Sequence, residues 1–206
     1  MCWKSTTNPR ASSLNASDCE RSIQRLLGVV LCGGQSLRMG RDKAALVHAD
    51  GVSFLQHAID RLSNLCDRVV VSGRTSIDHS VEMIEDPVTN RGPATGIAAA
   101  LQYADRHGFA ACLVTPVDMP RLTVDHLSGL VDDWQSADEI TVAESDRVQP
   151  LVGIYPVRFA DPLQRLAQSE DRSLFRWLGL QDHHRVTLPT SDCHNVNTPE
   201  DLTDVR

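Results

Sequence analysis

Leu26-Leu27-Gly28-Val29-Val30-Leu31-Cys32 is an unbroken apolar run, and Gly33-Gly34 closes it at once. A short continuous apolar run has the pattern of a strand buried on both faces, as in a parallel sheet. Glycines directly behind such a strand allow a tight turn and close approach of the backbone to a ligand. Downstream the same grammar repeats. Residues 53–65 carry Phe54, Leu55, Ala58, Ile59, Leu62 and Leu65 on one helical face. Strands are expected at 68–72 and 81–84, a helix at 93–106 with Pro93 in its first turn, and a strand at 110–115. A helix at 123–134 capped by Thr123 follows, then strands at 140–143 and 151–155. Short helices near 162–168 and 173–178, a strand near 185–188 and a last helix opening at Pro199 complete the chain. Alternating strand and helix predicts an α/β sandwich with a mostly parallel sheet. Its ligand is expected beyond the carboxyl ends of the strands, near a topological switch point.

The chain has 206 residues, enough for one domain with a full hydrophobic core. Residues 1–25 are polar, Ser-rich and cationic, and are expected to form an extension outside the core; residues 26–206 form the domain. The net charge of −7 argues against a nucleic-acid coat or an anionic membrane surface. No apolar stretch approaches the ~20 residues of a membrane helix. The six cysteines form no CxxC pair, and Cys32, Cys66 and Cys112 lie in apolar stretches. Free thiols in a reducing cytoplasm are therefore expected. The first residues lack the apolar core of a signal peptide.

The loop 33–43 carries Arg38, Arg41 and Lys43 against Asp42 within an acidic body. A polyphosphate would explain that concentration, because successive amides and cations can cradle an anion; a solvated surface turn is the alternative. The loop is no Walker A, since Gly34 and Gly40 are one residue too far apart and Ala44 follows Lys43. It also lacks the second glycine of the dinucleotide fingerprint. Asp118, between Pro116 and Pro120 after a strand, suits a Mg²⁺ ligand, since Mg²⁺ takes one or two carboxylates plus phosphate oxygens and waters. A turn cap is its other reading. Asp86 before Pro87 could accept from a ribose hydroxyl or base amine, or only end its strand. Arg91-Gly92-Pro93-Ala94-Thr95-Gly96 opens a helix that could approach base or sugar. His183-His184 is placed in a solvated polar loop, and neither HExxH nor GxSxG occurs.

These blocks together resemble the molybdenum cofactor guanylyltransferase (MobA) family. Residues Leu31 to Lys43 resemble its L-A-G-G-x-S-x-R-M-G-x-D-K loop. Gly92-Pro93-Ala94-Thr95-Gly96-Ile97 resembles G-P-L-x-G-I, and Val117-Asp118-Met119-Pro120 resembles C-D-M-P. Gln149-Pro150-Leu151-Val152-Gly153-Ile154-Tyr155 resembles Q-P-L-x-A-L-Y, and Asn195 to Leu202 matches N-V-N-T-P-E-D-L. The resemblance implies a Rossmann-like three-layer fold of the nucleotide-diphospho-sugar transferase type. It implies transfer of GMP from Mg-GTP to the terminal phosphate of the molybdopterin cofactor, with release of pyrophosphate. Leu31, Cys32, Gly33 and Gly34 would contact the nucleotide, Lys43 and Arg38 the phosphates, and Asp86 the nucleoside. Asp118 would hold Mg²⁺, and Asn195 and Asn197 would face the pterin. Cofactor-delivery proteins or molybdoenzymes are its implied partners. Cys32 stands where the family has alanine, and Ser72 where it often has asparagine. A molybdopterin cytidylyltransferase or a sugar-phosphate nucleotidylyltransferase is the nearest rival; the cytidylyl relatives usually carry L-A-A-G and D-x-D-T-P blocks, where this chain has Gly33-Gly34 and Asn195 and Asn197. A non-catalytic nucleotide-binding adaptor is the rival of another class, with no need for both Lys43 and Asp118.

Overall fold

The structure is a computed structural model and describes residues 24–33, 42–85, 92–197 and 201. The extension expected over 1–25, apart from its last two residues, lies outside the described residues, as does the start of the helix expected at Pro199. Strands β1 (Leu26–Cys32), β2 (Arg68–Gly73), β3 (Glu82–Ile84), β4 (Ala111–Pro116), β5 (Ile140–Glu144), β6 (Val148–Pro156) and β7 (His183–Thr187) form one sheet. Its spatial order is β3-β2-β1-β4-β6-β5-β7. All neighbours pair in parallel except β6, which runs antiparallel to β4 and β5.

Period-two alternation along the strands divides the core into two layers. Leu26, Val30 and Cys32 of β1 face a cluster formed with α1 (Phe54–Ser63) and α3 (Val124–Ala137). Leu27 and Val29 face the opposite cluster, built with α2 (Pro93–Arg106), α4 (Ala160–Gln168) and α5 (Leu174–Leu178). Three helix starts have a local cause. Ser53 caps α1 by accepting from the Gln56 N–H, and Pro93 opens α2. Thr123 and His126 form a reciprocal capping box at α3. This is the α/β sandwich that the alternating pattern predicts, in the three-layer form that the resemblance implies.

Two expectations are corrected. His183 and His184 are not in a loop but begin β7, which pairs from His183 opposite Ile140. His184 Nδ1 lies 3.2 Å from Asp133 Oδ2, so the ring is tied to α3. The strand expected at 151–155 starts earlier and is antiparallel, because a short turn at 145–147 folds β6 straight back on β5. Cys32, Cys66, Cys112 and Cys193 are free thiols. Burial pushes Cys66 up to about 12 and raises Cys112 well above its ordinary value, so both behave as small apolar groups.

Candidate active site

The chain runs outward from β1 to β2 and β3, then returns to place β4 on the other side of β1. The switch point therefore lies between the carboxyl ends of β1 and β4. Val117 N–H donates to the Leu31 carbonyl at 3.2 Å, extending that pairing to the edge of the site. Gly33 leaves β1 with φ +114°, a conformation that side-chain-bearing residues rarely adopt. Behind it, burial and the charges of Asp42 and Asp118 push the Cys32 thiol up to about 12. Cys32 therefore supplies a neutral wall, as the alanine of the family pattern would.

Three distant segments meet here. Lys43 opens a single 3-10 turn, Lys43–Ala45. Its Nζ donates to Asp118 Oδ2 at 2.7 Å and to Asn197 Oδ1 at 2.8 Å. The Lys43 and Asp118 side chains are 16% and 18% exposed, so the pair is largely shielded yet reachable from solvent. Asp118 is held between buried Val117 and Met119. Its carbonyl accepts from the Val196 N–H at 2.8 Å, and Val196 is itself buried. That anchor brings the Asn195–Asn197 segment to the end of β4. Asn195 lines an adjoining cavity of about 220 Å³ with Pro120, Arg121, Ser191, His194 and Asp201, and its buried Oδ1 has no partner among the described residues.

The resemblance gives Lys43 to the phosphates, Asp118 to Mg²⁺ and Asn197 to the pterin; in the structure Lys43 lies within hydrogen-bond distance of both other side chains. Leu31, Cys32 and Gly33 border this site. Gly34, Arg38, Arg41 and Asp86 lie outside the described residues. Ser72 is 2% exposed and donates to the Gly96 carbonyl at 3.3 Å, so its hydroxyl ties β2 to α2.

Three residues escaped the sequence reading. Asp42 accepts from the Ala44 N–H, the Thr75 hydroxyl and both the N–H and hydroxyl of Ser76. Burial raises its carboxyl pKa, but the Ser76, Ala44 and Thr75 hydrogen bonds outweigh burial and hold it below the usual carboxylate range. A lowered folded-state pKa means the contribution is present above the unfolded value of about 3.9 and is lost as pH falls through the folded one. The melting-temperature gap between wild type and Asp42→Ala is therefore expected to be full at pH 7 and to shrink below about pH 4. Arg61 of α1 donates through Nη1 to the carbonyls of Pro120 and Leu122, at 3.1 and 2.9 Å, and so braces the turn beyond Asp118. Burial pushes its guanidinium down to about 10. Gly73 ends β2 with φ +109°, packed directly on the Cys32 carbonyl.

Among the described residues no group of three His, Cys, Asp or Glu side chains could cage a metal ion. A hard divalent cation that takes one carboxylate and completes its shell with phosphate and water fits Asp118, the acidic group at the centre of this site.

Comparison with known proteins shows a family by sequence and a likeness of fold by structure. Residues 28–186 match the sequence model of the MobA-like NTP transferase domain. A protein of Rhodopirellula baltica named "Probable molybdenum cofactor guanylyltransferase" is 47% identical over 189 residues, covering 86% of this chain and 90% of the relative. The crystal structure of molybdopterin-guanine dinucleotide biosynthesis protein A from Archaeoglobus fulgidus superposes with a TM-score of 0.70 at 24% identity, covering 87% and 96% of the two chains. Rv0371C of Mycobacterium tuberculosis H37Rv, solved in complex with manganese, superposes with a TM-score of 0.65 at 17% identity, covering 88% and 97%. The two structural likenesses are likenesses of fold.

Proposed function

The chain belongs to the MobA-like NTP transferase domain family, and from that premise we propose that it transfers GMP from Mg-GTP to the terminal phosphate of the molybdopterin cofactor. The products are the guanine dinucleotide cofactor and pyrophosphate. The observation that carries this reading is the meeting of Lys43, Asp118 and Asn197 within 2.7–2.8 Å at the sheet's switch point. The relative's name supports the substrate assignment.

An oxygen of the acceptor phosphate attacks the α-phosphorus of GTP. The new O–P bond forms as the bond from the α-phosphorus to the bridging oxygen breaks, and pyrophosphate leaves with that electron pair. The attacking oxygen is already anionic, so no general base is required. What the protein must supply is alignment and charge cancellation between two anions. Lys43 brings a shielded ammonium to the point where the phosphates would meet. Asn197 fixes that ammonium from the second side. Arg38 is proposed to add a further cation. Asp118 would hold Mg²⁺, which when bound neutralises phosphate charge and fixes the phosphate oxygens. Asn195 and its cavity are assigned to the pterin side, and Leu31–Gly34 and Asp86 to the nucleoside. The reaction is placed in the cytoplasm on the cysteine pattern; no helix among the described residues is long and apolar enough to cross a membrane.

The nucleotide is expected to be GTP. Gly33 contributes no side chain, so a purine can approach the backbone behind β1. Guanine carries N1–H and 2-amino donors, and adenine would leave their acceptors unpaired. Cytosine would leave a gap where the larger ring packs. GTP should be preferred over CTP and ATP by at least ~10²-fold in kcat/KM, or ~2.7 kcal/mol. Parallel kinetics with the three nucleotides and molybdopterin check this, and equal use of CTP would move the chain to the cytidylyl reading.

A further inference from the structure

Asp42 is an anion one residue from the cation assigned to bind phosphate. An acid there would repel a polyphosphate unless its charge were spent elsewhere. The structure shows where it is spent. Oδ1 accepts from the Ala44 N–H at 3.0 Å, which caps the 43–45 turn. Oδ2 accepts from the Thr75 hydroxyl at 3.0 Å, the Ser76 N–H at 2.6 Å and the Ser76 hydroxyl at 2.9 Å. A cap needs only the first of these bonds. The other three come from the segment just after β2, more than thirty residues away in sequence. One 3-10 turn of three residues has little stability of its own. The position of the Lys43 backbone is therefore set by this long-range tie.

We infer that Asp42 is a positioning residue: its grip on Thr75 and Ser76 fixes the Lys43 turn against β2 and so sets the ammonium between Asp118 and Asn197. This rests on Lys43 being the phosphate-binding cation of the proposed reaction. Asp42→Asn separates the inference from its simplest rival. The amide is nearly isosteric and uncharged. If Asp42 were only a nearby anion, its removal would strengthen GTP binding. If Asp42 is a strut, the amide must turn an NH₂ toward N–H or O–H donors on one side or the other, and the tie opens.

The test combines Asp42→Asn, the pair Thr75→Val/Ser76→Ala, and both again with Lys43→Met. Asp42→Asn should lower kcat about 10–100-fold with KM for GTP changed less than about threefold, the scale of loss from a small misplacement of a catalytic group. Thr75→Val/Ser76→Ala, which leaves Asp42 intact, should lower kcat in the same direction. In the Lys43→Met background Asp42→Asn should change the residual rate less than about threefold, because the group it positions is gone. Amide hydrogen exchange of Asp42→Asn without substrate should show lost protection at Ala44 or at Ser76, whichever N–H the new NH₂ faces. Wild-type kcat in Asp42→Asn, tighter GTP binding, an equal loss without Lys43, or unchanged exchange would each overturn the inference. If the wild-type protein releases no pyrophosphate, the reaction assignment falls, and the exchange data alone decide whether the strut exists.

Discussion

Asp118→Asn should lower turnover by about 10²–10³ at saturating Mg²⁺, comparable to the loss of a major electrostatic group in other enzymes. The backbone gives no reason for the fold to change. The Asp118 carbonyl still receives the Val196 N–H, and Val117 and Met119 stay buried on either side. What changes is charge. The amide offers a hard cation a weaker oxygen and leaves the Lys43 ammonium without its carboxylate partner at 2.7 Å. Circular dichroism should remain native, so the loss cannot be assigned to unfolding. Near wild-type kcat in saturating Mg²⁺ would remove Asp118 from the metal site.

Gly73→Ala should destabilise the protein by about 3 kcal/mol or more. A Cβ built on Gly73 would lie 1.6 Å from the Cys32 carbonyl oxygen and 2.8 Å from its carbon. Both obstacles are backbone atoms, so no side chain can swing aside. The φ of +109° adds strain for any residue with a Cβ, on the order of 1–3 kcal/mol. The ends of β1 and β2 must separate, and that edge borders Gly33. At about 2–4 °C per kcal/mol for a chain of this size, the melting temperature should fall by roughly 6–12 °C or more. KM for GTP should rise with it, because the Cys32–Gly33 peptide would be displaced. Thermal unfolding within about 2 °C of wild type would show that the close approach does not constrain the site.

The contrast between these two residues shows what could be read from the sequence. Asp118 was legible because a carboxylate behind an apolar run, set between two prolines, marks the end of a buried strand. Lys43 stood out as a cation in a glycine-opened loop of an acidic protein, and the resemblance supplied Asn197. Gly73 gave no such signal. The reason it must be glycine lies in the Cys32 carbonyl of the neighbouring strand. Asp42 read as one charge among several, because Thr75 and Ser76 reach it only after β2 has paired with β1. Arg61 lies off the apolar face of α1 and nothing in the helical pattern singles it out, yet its guanidinium is buried against the 120–122 turn. The direction of β6 was equally hidden. An apolar run records that a strand is buried, but the direction comes from the short turn that folds it back on β5. His183 and His184 read as loop for a related reason, since an edge strand with exposed polar side chains lacks the apolar run that marks a central one.

Pyrophosphate release from GTP, measured with and without molybdopterin, tests the central claim most directly. The account predicts Mg²⁺-dependent release only when molybdopterin is present. One guanine dinucleotide cofactor should form for each pyrophosphate. No pyrophosphate with both substrates and Mg²⁺ present, or release from GTP at the same rate without molybdopterin and with no dinucleotide formed, would contradict it.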